Sequence, residues 1–322
     1  MVKILNIVNG DMAITILKKA HINGDFLPWN DFLHEGPVPK TSSIHQLSEV
    51  RIQYINQQGF GVLEQIQEDF YKRDGMLNAY HKYEKIILWF EPDLYDQLQL
   101  LQVLSWFKIN NREKIKLSLI SIEEYLGECS IEEIIKLLRY EEDVTQKHLN
   151  VAHKAWLAFQ ESTPKAWFKL LNIDTSPLPF LKYSIQRMLE EFPNNKNGLS
   201  RSAHQALLTI SKGTTQPREI FNQCQNYEKY KFMGDILFWK ILDEFIENKI
   251  IYSQKNGQIL TITKLGERLL NGKIYYFHIK PINRWIGGTQ LTNDNLWCWN
   301  IKRKSIEKYY YSSTLSSLLP FG

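Results

Sequence analysis

The chain has 322 residues, 43% hydrophobic and 23% charged, with a formal net charge of +4; this is ordinary soluble composition over enough length for two or three domains. No apolar run approaches the ~20 residues that cross a bilayer, the opening "MVKILNIVNGD" lacks the form of a signal peptide, and Cys129, Cys224 and Cys298 read as free thiols of a reducing, cytoplasmic compartment. Charge is unevenly placed, with 13 Lys/Arg against 17 Asp/Glu in residues 1–128, 15 against 15 in 129–248, and 11 against 3 in 249–322, so the basic end is the part suited to an anionic partner.

Four short apolar runs punctuate the first 125 residues: "KILNIV" (3–8), "DFLPW" (25–29), "KIILWF" (85–90) and "IKLSLISI" (115–122). Helical patterns lie between them, "MAITILKKA" after the first and "LYDQLQLLQVLSWF" after the third, with positions 94, 98, 101, 104 and 107 on one face. Apolar strands alternating with amphipathic helices predict a Rossmann-like α/β domain with a short parallel sheet over residues 1–128. The insert at 40–82 reads as two helices, broken at "QQGFG" and ending near "RDG", that form a lid or wall.

Residues 129–196 read as an all-helical connector. "SIEEIIKLL" carries a capping-box pattern, and "PNNKNG" (193–198) reads as a linker. Residues 197–272 follow winged-helix order, three helices ("LSRSAHQALLTIS", "TQPREIFNQCQNYE", "FMGDILFWKILDEFIENK") and then a hairpin at "IIYSQKNGQILTIT". The whole is a winged-helix-like α+β C-terminal domain, ending in a β extension over 273–322 with strands at "YYFHIK", "RWIGGTQL" and "NLWCWNI". The third helix carries Asp235, Asp243, Glu244 and Glu247 against Lys240 and Lys249. Acids facing phosphates oppose binding, so this helix is not expected to read bases. "RWIGG" reads first as a strand or turn packed by Trp285, Trp297 and Trp299, the alternative being a binding element in which Gly287 and Gly288 permit close backbone approach and Arg284 supplies a positive fork.

In an open α/β sheet, ligands bind beyond the carboxyl ends of the strands, at a topological switch point. Three strands deliver polar residues there: Asn9, Gly10 and Asp11 after the first; Asn30, Asp31, His34 and Glu35 after the second; Glu91 and Asp93 after the third. Arg73 of "RDG" adds an anion contact. An imidazole among acids suits general acid–base work or a divalent cation. The candidate catalytic residues are His34, Glu35 and Glu91; the candidate ligand-binding residues are Asn9, Gly10, Asp11, Asp31, Asp93 and Arg73.

Plainer readings stand beside these. Asp11 and Asp93 fall where helix N-caps belong, a surface pair is the lesser reading of His34 and Glu35, Arg73 reads as a solvated loop residue, and Asp96 belongs to the solvated or interface face of its helix. "NGD" fails the G-x-G-x-x-G fingerprint, and neither a P-loop nor G-x-S-x-G occurs, which disfavours NAD, P-loop and serine-hydrolase chemistry.

Six stretches taken together, "NIVNGD", "NDFLHEGPVP", "LWFEPDLYDQLQLL", "NGLSRSAHQALL", "FMGD" and "RWIGG", resemble the bacterial family catalogued as domain of unknown function 1835 with its C-terminal companion, domain of unknown function 3658. The resemblance spans nearly the whole chain, implies a bacterial cytosolic protein, and brings no activity with it. The family pattern often places a histidine between the two acids where this chain has Pro92, so here the carboxylates and His34 would have to suffice for a metal. The expected function is binding or turnover of a small, nucleotide-like or phosphorylated ligand at the sheet edge, with the enzyme question open. The alternative is a regulatory or adaptor protein whose winged-helix-like unit and basic end bind protein or, less expected, nucleic acid; a membrane partner is not expected.

Overall fold

The computed structural model describes residues 2–110 and 115–310. They fall into two compact units, Met1–Gln186 with Ile286–Thr289, and Arg187–Trp285 with Gln290–Gly322; residues 311–322 of the expected C-terminal extension lie outside the described residues. No helix among the described residues is long and apolar enough to cross a membrane.

The first unit is built on Ile4–Val8 (β1), Gly10–Lys19 (α1), Asp25–Pro28 (β2), Gly36–Pro37 (β3), Ile44–Gln57 (α2), Leu63–Asn78 (α3), Lys85–Trp89 (β4), Leu94–Ile109 (α4), Lys116–Ile120 (β5), Ile131–Leu137 (α5), Glu142–Asp143 (β6) and Gln146–Phe159 (α6). Its main sheet runs β2-β1-β4-β5-β6. The first four strands are parallel, with Val8 opposite Trp89 and Trp89 opposite Ile120, and β6 is antiparallel. Strands β1, β4 and β5 are buried on both faces, which is why they read as continuous apolar runs. On one face Val8, Ile87, Trp89 and Ile120 pack with Ala13 and Leu17 of α1 and Ile134 and Leu137 of α5.

Asn6 ties three strands together. It accepts from Trp89 Nε1 at 3.0 Å and donates to the carbonyls of Asn23 and Asp25 at 3.0 and 3.3 Å. The chain leaves β1 on one side to form β2 and returns on the other to form β4, so the switch point lies between the ends of β1 and β4.

Helix α4 is buried from Leu94 to Phe107 except for Tyr95, polar positions included. Its glutamines are accommodated by backbone and indole groups. Gln99 Nε2 donates to the carbonyls of Trp29 and Asp31 at 2.7 and 3.0 Å, Gln102 accepts from Trp29 Nε1 at 2.9 Å, and Gln97 Nε2 reaches the Glu91 carbonyl at 2.8 Å. A second sheet pairs Gly36 and Pro37 in parallel with Ile286 and Gly287. Here the two glycines of "RWIGG" are obligatory, because a Cβ on Gly287 would stand 2.3 Å from the Phe159 carbonyl oxygen and one on Gly288 would stand 2.0 Å from that of Gln160.

Several elements differ from expectation. Helix α3 does not stop near "RDG" but runs through Gly75 to Asn78, because buried Arg73 and Asp74 fix its face. Residues 142–143 are a short strand inside the region read as all-helical. "YYFHIK" is no strand: Tyr276–Ile279 is a helical turn, with Tyr275 and Phe277 stacked at 5.0 Å.

The second unit contains Arg201–Ser211 (α7), Pro217–Asn226 (α8) and Asp235–Glu247 (α9), then the antiparallel pair Ile251–Gln254 (β7) and Ile259–Ile262 (β8). Leu207, Ile210, Ile220, Phe238, Leu242, Phe245 and Leu260 form its core. A second hairpin joins Trp297–Asn300 (β9) to Ser305–Lys308 (β10). "PNNKNG", read as a linker, is a built loop of this unit: Asn194 Oδ1 accepts from the amides of Lys196 and Asn197, both at 2.9 Å, and Asn194 Nδ2 donates to the Leu199 carbonyl at 2.7 Å.

Candidate functional site

At the switch point, the polar stop after β4 and the start of α4 bring three acids together. One carboxylate oxygen each from Glu91, Asp93 and Asp96 lies within 4.8 Å of the others. Asp93 is the N-cap of α4, accepting from the amides of Tyr95 at 2.8 Å and Asp96 at 3.2 Å. Asp96 sits one turn on, fully buried at 0% exposure rather than on a solvated face. It takes the Glu91 amide at 2.7 Å on one oxygen and Asn9 Nδ2 on the other. Glu91, half-buried at the mouth, accepts from the Leu126 amide at 2.9 Å.

Asn9 occupies the N-cap position of α1, yet its side chain caps nothing there, being committed to Asp96. Asn is a preferred cap, worth about 1 kcal/mol where it caps. Gly10 follows at φ 73°, the left-handed region that glycine enters without penalty.

Burial raises all three acids, because the charged form loses water. Asp93 is pushed up to about 7, by burial first and by the charge of Glu91 second, against the pull of its backbone amides. Asp96 is driven well above the usual carboxylate range by burial and then by Asp93 and Glu91, and Glu91 is raised by burial with a further contribution from Glu128. The three carboxyls therefore hold their protons to higher pH than exposed carboxyls do. A divalent cation with oxygen ligands at about 2.0–2.6 Å fits within this spacing and would displace those protons.

Asp93 titrates higher folded than unfolded, so the native state holds more protons between about pH 4 and 7 and loses stability as pH rises through that window. Asp93→Asn keeps an acceptor for the cap. Measured by urea denaturation, it should be more stable than wild type at pH 8 by roughly 2–4 kcal/mol, with the gain vanishing at pH 4. A gain that does not change with pH would refute the assignment.

The other expected site residues scatter around this cluster. His34 is buried, so it is no surface pair, and its ring stands 5.5 Å from that of Tyr95. The Tyr95 hydroxyl is raised by burial and then by the charges of Asp31, Asp96 and Asp93, so Tyr95 adjoins both His34 and the acids. Asp31 is consumed by Arg51, which contacts it at 2.8–3.2 Å through Nε and Nη2 with both side chains at 0% exposure. Arg51 also donates to the carbonyls of Glu35 at 2.8 Å, Phe32 at 3.2 Å and Pro37 at 3.3 Å, so it braces the 31–37 loop, and the half-buried Glu35 belongs to that frame.

Asp11 is exposed in the first turn of α1, bound by Asn30 at 2.8 Å, and is neither cap nor cluster member. Arg73 is not a loop residue. It lies buried in α3 against Asp74 and Ser48 (2.8 and 2.7 Å), over the rings of Trp29 and Phe70. Asn9, Glu91 and Asp93 are thus brought together, with Gly10 adjoining; Asp96 and Arg51 are the residues that sequence reasoning passed over. The Glu-x-Asp-x-x-Asp spacing across a helix start was the available signal for Asp96.

No family model and no curated protein matches the chain. Among solved structures, the Orc1 protein of Aeropyrum pernix in complex with DNA aligns over 84% of this chain and 86% of its own at 12% identity and a TM-score of 0.19, a superposition too poor to carry an argument.

Proposed function

We propose that the first unit binds a small phosphorylated or nucleotide-like ligand over the ends of β1 and β4, through a divalent cation held by Glu91, Asp93 and Asp96. The carrying observation is the gathering of these three carboxylates within 4.8 Å at the switch point. A cap alone requires only Asp93. The other two acids cost stability where they stand, and a cation would recover that cost. It would also let a cluster of acids meet an anionic ligand. Glu91 is the accessible ligand, Asn9 positions Asp96, and His34 supports the site through Tyr95. The stretches "NIVNGD" and "LWFEPDLYDQLQLL", which carry part of the resemblance to domain of unknown function 1835, supply the cluster.

A thermal-shift panel of nucleotides and sugar phosphates, with and without Mg2+, Mn2+ or Ca2+, tests this. A cation alone at 100 times its Kd should add about 2.7 kcal/mol of stability, and Glu91→Gln should abolish most of that gain. A wild-type response retained in full by both Glu91→Gln and Asp96→Asn would sink the reading.

For the second unit, the order α7, α8, α9, then the β7–β8 hairpin supports a winged-helix reading. The exposed Ile236, Asp243 and Glu247 of α9 favour a basic protein partner for that helix over nucleic acid.

A further inference from the structure

The acidic face of α9 does not exhaust the second unit, in which a group of cations lies around the β9–β10 hairpin. The turn Ile301–Lys304 is exposed and presents Lys302, Arg303 and Lys304 in succession. It is held in place at several points. The Ile301 amide donates to Asn195 Oδ1 at 3.2 Å and the Arg303 amide to Asn300 Oδ1 at 3.0 Å, while Asn300 Nδ2 binds the Glu307 carboxylate at 3.1 and 3.3 Å.

The loop carrying Asn195 runs beside β9, its amide donating to the Trp299 carbonyl at 3.0 Å. Lys196 is therefore brought to the same end of the hairpin. Lys196 also packs on Gly272, where a Cβ would meet its Cγ at 3.1 Å, and this brings in the adjacent exposed Lys273. Tyr275 closes the group, its hydroxyl donating to the Asn195 carbonyl at 3.2 Å.

Five cations thus share one surface. Among the described residues, Lys196, Lys273, Lys302 and Lys304 have no carboxylate partner within 4.0 Å, and Arg303 has only Glu307 at 3.7 Å. Beyond the far end of β10, six residues from the turn and at most about 20 Å along the chain, Tyr310 is 75% exposed with Lys308 Nζ 5.7 Å from its ring centre.

We propose that this surface binds single-stranded nucleic acid, the five cations tracking the phosphodiester backbone and Tyr310 stacking on a base. Solvent-displayed cations attract phosphates without the desolvation cost of buried ones, and release of condensed counterions drives the association. An exposed aromatic ring flanked by lysine suits an unpaired base, which offers a free π-face as a paired one does not. The surface is remote in sequence from the carboxylate cluster, and the proposal is independent of the function assigned there.

Fluorescence anisotropy of the full chain with a labelled 20-nucleotide oligo(dT), titrated from 50 to 200 mM salt, tests it. Five phosphate contacts predict a log–log salt slope near −3.5 and about a 100-fold loss of affinity across that range. The triple variant K302A/R303A/K304A should flatten the slope by about 2 and weaken binding at 50 mM salt on the order of 100-fold. Tyr310→Ala should cost about tenfold without changing the slope. Should the triple variant prove misfolded by circular dichroism, the double variant K196E/K273E reports on the same surface and should also weaken binding at least tenfold.

No binding at 50 mM salt would overturn the proposal, as would unchanged binding in these variants or preference for a duplex of equal length. Vesicles containing 30% phosphatidylserine separate the remaining polyanionic partner: binding to them without binding to oligo(dT) also overturns it.

Discussion

Arg51→Met is expected to lower the stability of the first unit by about 3–5 kcal/mol, the range for removing one partner of a buried ion pair. Both Arg51 and Asp31 are at 0% side-chain exposure, so the abandoned carboxylate has no water to turn to. The carbonyls of Phe32, Glu35 and Pro37 lose a donor at the same time. The guanidinium also lies 5.5 Å from the Phe32 ring centre and 5.2 Å from that of Tyr54, contacts that methionine replaces in part. With ordinary domain stabilities of 5–15 kcal/mol, such a loss consumes much of the margin. Urea denaturation reads it directly. Hydrogen exchange should quicken first in residues 31–37. The double variant R51M/D31N should recover a substantial part of the loss, because it no longer buries an unpaired charge. If the double variant were as unstable as the sum of the single ones, the ion pair would not be the cause.

The second large effect is expected at Glu191. Arg187, 1% exposed in the helix Leu181–Leu189, grips Glu191 at 2.7 Å and Glu228 at 2.8 Å and donates to Ser202 at 2.8 Å. Ser202 in turn donates its hydroxyl to Glu191 at 2.6 Å, and Arg284 Nη2 stands 3.5 Å from the same carboxylate. Burial alone would raise the acid, but the charges of Arg187 and then Arg284 bring it down to about 2.

A carboxyl depressed in the folded state stabilises above its unfolded pKa, near 4.3, and loses that contribution as pH falls towards 2. Glu191→Gln should therefore cost about 3–5 kcal/mol at pH 7 and progressively less below pH 4. Denaturation curves at pH 7 and pH 3 separate this from a packing defect, which would cost the same at both.

The alternation of apolar runs and helices made the parallel sheet legible, because β1, β4 and β5 are buried on both faces and tolerate little else. The strand ends told where polar groups would collect, and Asn9, Glu91 and Asp93 do collect there. What could not be read was which polar residues the surroundings had already claimed. Asp31 and Arg73 look available in the sequence, but their partners Arg51, Asp74 and Ser48 sit on helices whose facing depends on tertiary packing.

That Asp96 lies on the packed rather than the solvated of its two expected faces was hidden for a related reason. A helix carrying Gln97, Gln99 and Gln102 looks half-solvated, yet Gln97 and Gln99 donate to the backbone carbonyls of Glu91, Trp29 and Asp31 and Gln102 accepts from the Trp29 indole. "YYFHIK" has strand-like composition, but ring stacking between Tyr275 and Phe277 and the hydrogen bond from the Tyr276 hydroxyl to Glu244 at 3.1 Å favour a helical turn. Hydrophobic pattern reports burial of apolar faces and is blind to where buried polar groups find partners.

The pairing of Gly36 and Pro37 with Ile286 and Gly287 sets a clock on biosynthesis. These partners stand 250 positions apart in the chain, and loop closure over that span costs about 5 kcal/mol by the logarithmic law. During translation at about 5–20 residues per second, the segment following β2 waits at least ten seconds for its partner strand. Meanwhile Gly36 and Pro37 rest on the loop that Arg51 braces and on the Tyr54 ring of α2. The buried guanidinium thus has a temporal role as well as a thermodynamic one, holding a strand edge in shape until the chain returns to cover it.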